Sequence, residues 1–307
     1  MLPDIHRRVV NAKYILERAA RMQRESNEMS IAVSLLLMHD AIELLMHAVL
    51  DHLSVKKKYD FMGFWSAIKE AGYPEPHDYA PMETLNKLRV GLKHSGILPR
   101  SQTVQELLPR ARGFFENVLK AYCAVDYASV SLIDLIADEE VRSLLNEAQS
   151  KFSSGDKVGG LTNLKIALHK VENPKGKHLP LMQAPSTPRI PNEMARAGWD
   201  QYLNQLYSFL GESASRMNAT MLGVDPIRYA AFVRSTPNVQ WSMAGTHTVI
   251  MMRPYDNVSQ ADFTELLDFI IEYAVKASES YVPHPRVVAN SVESLAARIA
   301  GTGDQAK

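Results

Sequence analysis

Apolar positions along this chain recur mostly at spacings of three and four, the period of a helix with one buried face. Asp4 to Arg24 is polar on one side and carries Val9, Ala12, Ile15, Leu16 and Ala19 on the other, which predicts a covering helix. Asn27 or Ser30 suits the cap of a second, stronger helix reaching about Leu53. Within it Asp40, Glu43, His47 and Asp51 follow at i, i+3, i+7 and i+11. That narrow polar stripe on an otherwise apolar cylinder places the helix at the centre of a bundle, its stripe turned to water or to a cleft.

Further on, Phe61 to Ala71 predicts a short amphipathic helix whose Phe61, Phe64, Trp65 and Ile68 share one face, as core residues do. Pro74 to Pro81 reads as a loop. Leu85, Leu88 and Leu92 then define the buried stripe of another helix, stopped by Gly96 with Pro99 beyond it. Thr103 to Tyr122 continues the bundle, with Pro109 as a kink point and Leu107, Leu108, Ala111, Phe114, Phe115 and Val118 on the inner side.

After a short apolar segment, Ser131 to Ile136, Asp138 caps a helix ending near Ser154, and Gly155-Asp156 separates it from a second, about Val158 to Glu172. The pair resembles one tetratricopeptide-type unit, without a second copy at the repeat period. Residues 174–191 contain five prolines and few apolar side chains, the composition of a linker. Beyond it Glu193 to Leu222 predicts a helix with Trp199, Tyr202, Leu206 and Leu210 inside. Asp225-Pro226 opens the next. Val239 to Ser242 and Thr248 to Met252 alternate as a two-stranded hairpin. Asp262 to Ser280 closes the segment, and a weakly apolar tail follows. The expected architecture is mainly α: a helical bundle over 1–130, an α-hairpin over 131–173, a linker over 174–191, an α-rich domain with a β-hairpin over 192–282, and a mobile tail over 283–307.

Composition narrows the chemistry. Lys plus Arg and Asp plus Glu each number 34 in 307 residues, so no global field draws the protein to nucleic acid or membrane, and such binding needs a local patch. One cysteine, Cys123, permits no intrachain disulfide and no cysteine-held zinc. The first residues lack the basic-then-apolar order of a signal peptide, and the apolar run Ile31 to Met38 is broken by His39, Asp40 and Glu43. A soluble cytoplasmic protein without membrane association is expected. No phosphate-binding glycine loop, dinucleotide fingerprint, His-Glu-x-x-His or serine elbow occurs, and Gly159-Gly160 forms none; no cofactor is expected. Lys56-Lys57-Lys58 is a small basic knot, and Arg228, Arg234, Trp241 and His247 are candidate exposed binding residues in the second domain.

The stretch Asn86-Lys87-Leu88-Arg89-Val90-Gly91-Leu92-Lys93-His94 carries the sharpest signal. Arg89 lies on the flank of the apolar stripe and His94 almost opposite it, with Asn86, Val90 and Lys93 on the arc between. Arg89, four residues, then His94 resembles the Arg-x(4 to 6)-His signature of the HEPN superfamily, helical bundles that include endoribonucleases and nucleotide-binding modules. The long preceding helix with Ala41-Ile42-Glu43-Leu44-Leu45 and the following helix fit that context; Val90, where catalytic members usually carry a polar residue, departs from it. The resemblance implies a homodimer acting on RNA in a toxin or antiphage setting, Arg89 and His94 being catalytic and no metal required. It equally admits a noncatalytic HEPN-like module that dimerises and binds an unidentified protein partner. Asp40 or Glu43 would approach Arg89 or His94 across the bundle, with His47, Asn86 and Lys93 in support. A third alternative is His39-Asp40, similar to the metal-binding dipeptide of HD phosphohydrolases, with His6 as the upstream histidine that such a site needs.

Overall fold

The computed structural model describes residues 1–25, 27–55, 59–174, 177–178, 199–241, 247–250 and 254–283. The Lys56-Lys57-Lys58 knot, most of the proline-rich segment and the tail beyond Pro283 lie outside them. The described chain is mainly helical with a small antiparallel hairpin, and it divides into two compact units, Met1–Leu135 and Ile136–Lys307. The second unit thus begins ahead of the α-hairpin that periodicity sets apart from the C-terminal segment.

In the first unit, α1 (Pro3–Arg24) lies along α2 (Glu28–His52) in the most extensive helix pairing of the molecule. Val9, Ala12, Leu16 and Ala19 of α1 are fully enclosed, and α2 buries residues on three sides, from Ile31 through Leu50. Asn27 caps α2 by accepting from the Ser30 N–H. α2 is long and apolar enough to cross a membrane despite His39, Asp40 and Glu43, but much of it is buried as the spine of a bundle, packed by α1, α4 and α5. The short α3 (Phe64–Glu70) adds Phe64, Trp65 and Ile68 to the core, where Trp65 donates to the Pro76 carbonyl and packs on Phe114. Next come α4 (Tyr79–Ser95) and α5 (Ser101–Val118); α5 runs through Pro109 and ends in a wider π turn, Leu119–Cys123. Arg112 of α5 grips Glu17 with two hydrogen bonds of 2.9 and 2.8 Å, and Tyr127 donates to the same carboxylate at 2.6 Å.

The end of α4 follows its sequence signal. Gly96 is left-handed (φ +65°), its N–H donates to Leu92, and the Ile97 N–H reaches back to Gly91, so these two carbonyls of the last turns are satisfied. The expected stripe is only partly buried, however. Met82 and Leu85 are enclosed, whereas Leu88 and Leu92 are half-buried and Val90, Ile97 and Leu98 are exposed. Helical periodicity assigns these leucines to one face, but the described elements cover the C-terminal half of that face only in part.

In the second unit, α6 (Glu139–Ser153) and α7 (Lys157–Glu172) form the expected hairpin, capped by Asp138 and Asp156. Gly160 permits their close approach: a Cβ there would stand 2.9 Å from the Ala148 carbonyl oxygen and 3.0 Å from the Phe152 Cβ. α8 (Trp199–Met221) and α9 (Pro226–Ser235) follow, then the hairpin β2 (Asn238–Trp241) with β3 (His247–Ile250), and α10 (Gln260–Ser280). β1 (Lys177–His178) pairs antiparallel with β4 (Val282–Pro283), a short contact that the sequence does not announce. α7 packs on α10, where Phe152 of α6 also stacks on Phe263 at 4.1 Å.

Two expectations for this unit fail. Spacing places Trp199, Tyr202, Leu206 and Leu210 on the inside of α8, yet all four are exposed; the helix buries instead Ala214, Asn218 and Ala219. Arg228 is not an exposed binding residue, because Glu272 and Glu265 hold it at 2.6 and 3.1 Å. Arg234 is exposed, and the side chains of Trp241 and His247 lie outside the described set.

Candidate functional site

The polar residues of unit one that the sequence singles out sit on α2 and α4, which pack against each other. Asn86 of α4 faces His39 of α2, with Oδ1 3.2 Å from Nε2. His39 is the buried member, 2 % exposed, and its ring stacks on Phe61 with centroids 4.2 Å apart. On the other side of the ring, Nδ1 lies 3.7 Å from the Asp40 carboxylate and 3.8 Å from that of Glu43, too far for a hydrogen bond. Burial lowers the pKa of His39 below that of a free imidazole and the positive charge of Arg89 lowers it further; Asn86, Glu43 and Asp40 oppose the shift without reversing it.

Arg89 is half-buried, one turn beyond Asn86 on α4, and its Nε is buried without a hydrogen-bond partner among the described residues. Its charge therefore reaches the α2 cluster through space. His94 stands apart. Five residues on a regular helix place it about 7.5 Å along the axis and about 140° around it from Arg89, and it is exposed in the last turn.

The expectations for these residues divide accordingly. The structure brings Asp40, Glu43 and Asn86 together, around His39; neither carboxylate forms an ion pair with Arg89 or His94. His47 is exposed one turn farther along α2, and Lys93 is exposed beside His94. For the HD-type alternative, His6 pairs with Asp134 at 3.0 Å and is not directed at His39-Asp40. The histidine that organises the cluster is thus one that helical periodicity passed over, since it lies off the polar stripe; the His39-Asp40 dipeptide was its one sequence signal.

A second polar cluster lies within unit two. A cavity of about 500 Å³ is lined by Lys165, His169, Glu172, Ser215, Arg216 and Tyr229, among others. Tyr229 and Tyr273, both buried, donate to the same Glu172 oxygen at 3.1 and 3.2 Å. Although Glu172 as a whole is half-buried, this end of it is desolvated, which raises its pKa; burial likewise lowers Lys165 and His169. Sequence reasoning missed this cluster, because Lys165 and Glu172 look like ordinary helix-surface charges two turns apart.

No family model matches the chain, and no curated protein or solved structure is significantly similar to it.

Proposed function

We propose that this protein is an HEPN-like RNA-processing protein whose site is completed when two α4 faces meet. The observation that carries the reading is the half of α4 left uncovered: Leu88 and Leu92 are half-buried and Val90, Ile97 and Leu98 exposed around Arg89 and His94. Apolar surface of this kind at a helix end favours association, and a two-fold axis there would set each Arg89 near the partner's His94.

In such a cleft one His94 takes the proton from a ribose 2′-hydroxyl, and the freed oxygen attacks the adjacent phosphorus. The 5′-oxygen leaves with a proton from the second His94, giving a 2′,3′-cyclic phosphate and a 5′-hydroxyl. Imidazole suits both roles because it exchanges a proton near neutrality. Arg89 offers paired donors to the phosphorane through its guanidinium. The step needs no metal. A cytoplasmic, bacterial defence or toxin setting belongs to the same proposal.

The test is cleavage of a single-stranded RNA with and without EDTA. Arg89→Ala and His94→Ala each lower the rate by about 10²–10⁴ while circular dichroism stays unchanged. Cleavage that persists in both variants excludes these roles.

A noncatalytic HEPN-like dimer is the second reading, favoured by one observation: the residue directly after Arg89 is Val90, 42 % accessible, which suits a dry contact better than phosphate. RNA then stays intact while light scattering reports a dimer that Val90→Asp dissociates.

A further inference from the structure

Three possible metal-ligand atoms converge beside α2, and among the described residues no hydrogen bond joins them. Asp40 Oδ1 and Glu43 Oε2 stand 3.7 and 3.8 Å from His39 Nδ1, and the donor atoms of the three residues all fall within 4.8 Å of one another. The imidazole is enclosed, and its Nδ1 is buried with no hydrogen-bond partner among the described residues. The opposite nitrogen, Nε2, is held by the Asn86 side chain at 3.2 Å. With the Asn86 carbonyl oxygen as acceptor, Nε2 carries the ring proton and the Nδ1 lone pair points at the two carboxylates. Lone pair against carboxylate is repulsive, and a cation at their centre removes the conflict.

We propose that His39, Asp40 and Glu43 form a binding site for a divalent transition-metal ion. A four-coordinate ion with bonds of about 2.1 Å spaces its donors about 3.4 Å apart, so small rotations of two carboxylates that are 52 % and 40 % exposed close the observed gaps. The histidine needs no movement. Its Nε2–Asn86 bond is the outer contact that metal-bound imidazoles generally make, fixing the tautomer and the ring orientation. One nitrogen and two oxygens select Zn²⁺, Co²⁺ or Ni²⁺ over Mg²⁺ and Ca²⁺, which favour all-oxygen sites. Because both carboxylates reach solvent, the remaining positions on the ion belong to water or an added ligand. Arg89 lies close enough to act on His39 electrostatically, but forms no ion pair with either carboxylate, so the acidic pair keeps its charge for the metal.

The site is independent of RNA cleavage, which needs no metal in the reading above. The experiment is a Co²⁺ titration of the full chain after EDTA treatment and desalting, followed by the visible d–d absorption. Wild-type protein is expected to bind one Co²⁺ with a band characteristic of four or five ligands, and Zn²⁺ but not Mg²⁺ displaces it. Asp40→Asn and Glu43→Gln, changes at accessible carboxylates, each weaken binding by about tenfold or more, and Asn86→Ala by about 10–100-fold. His77→Ala, a histidine in the loop before α4, leaves it unchanged. Absence of the band up to millimolar Co²⁺, or equal affinity in the Asp40→Asn/Glu43→Gln double variant, overturns the proposal. RNA left intact by the wild type would instead sink the nuclease reading and leave this one standing.

Discussion

The ring of His39 and the side-chain amide of Asn86 tie α2 to α4, Nε2 to Oδ1 at 3.2 Å. This bond crosses the contact between the central helix of unit one and the helix that carries Arg89. It fixes the orientation of a buried imidazole and the register of α4 against α2.

Removing the amide strands a buried ring nitrogen. Asn86→Ala should lower the stability of unit one by about 1–3 kcal/mol, read as a shift in the urea midpoint with an unchanged slope. Lys87→Ala, next along the chain, removes only an exposed pair with Glu83 and should fall within about 0.5 kcal/mol of wild type. Equal effects of the two substitutions would mean that the His39–Asn86 bond contributes nothing.

Glu172 provides a pH signature for unit two. Its folded-state pKa is raised, burial being the main cause, so the folded protein holds the proton more tightly than the unfolded chain does. Stability from this group is complete below the unfolded value of about 4.3 and is lost as pH rises through the folded value. Glu172→Gln keeps an acceptor for Tyr229 and Tyr273 but never ionises. Thermal melts of wild type and variant should therefore nearly coincide at pH 4 and separate at pH 8, the glutamine form melting higher. A variant that melts lower at pH 8 than at pH 4, relative to wild type, would show that the ionised carboxylate is the stabilising form.

Two glycines in helices should respond with opposite sign. Gly160→Ala drives a methyl group against the Ala148 carbonyl at 2.9 Å and Phe152, which are held in the α6–α7 contact, and should destabilise by about 1–3 kcal/mol. Gly113 of α5 has open space around its Cβ position, so Gly113→Ala should stabilise by about 0.5–1 kcal/mol through helix propensity. Denaturant titrations of both variants decide the matter; a neutral Gly160→Ala would show that the helix pair relaxes freely.

How far the sequence leads is clearest at particular residues. Asn27, Asp138 and Asp225 cap α2, α6 and α9 as their types and positions foretell, and Gly96 ends α4 in the left-handed conformation that only a residue without a Cβ adopts freely. These interactions close within a few residues, so local chemistry is enough to specify them. The buried sides of α1, α3 and the middle of α2 also follow directly, because there an apolar stripe has a partner to meet.

The remainder was settled by neighbours distant in sequence. Trp199, Tyr202, Leu206 and Leu210 share a helical face, yet that face of α8 is exposed; Leu88 and Leu92 share another that is half covered. Periodicity names a face without saying what lies against it. His39 has no helical periodicity to distinguish it, and it becomes the centre of a polar cluster because Phe61 stacks on its ring and Asn86, 47 residues on, meets its nitrogen. Bonds and spacings of three or four residues, all legible along the chain, specify where helices begin and end and which side of each is apolar. Which polar groups meet, and which apolar faces stay open, was decided only by the packing of one helix on another.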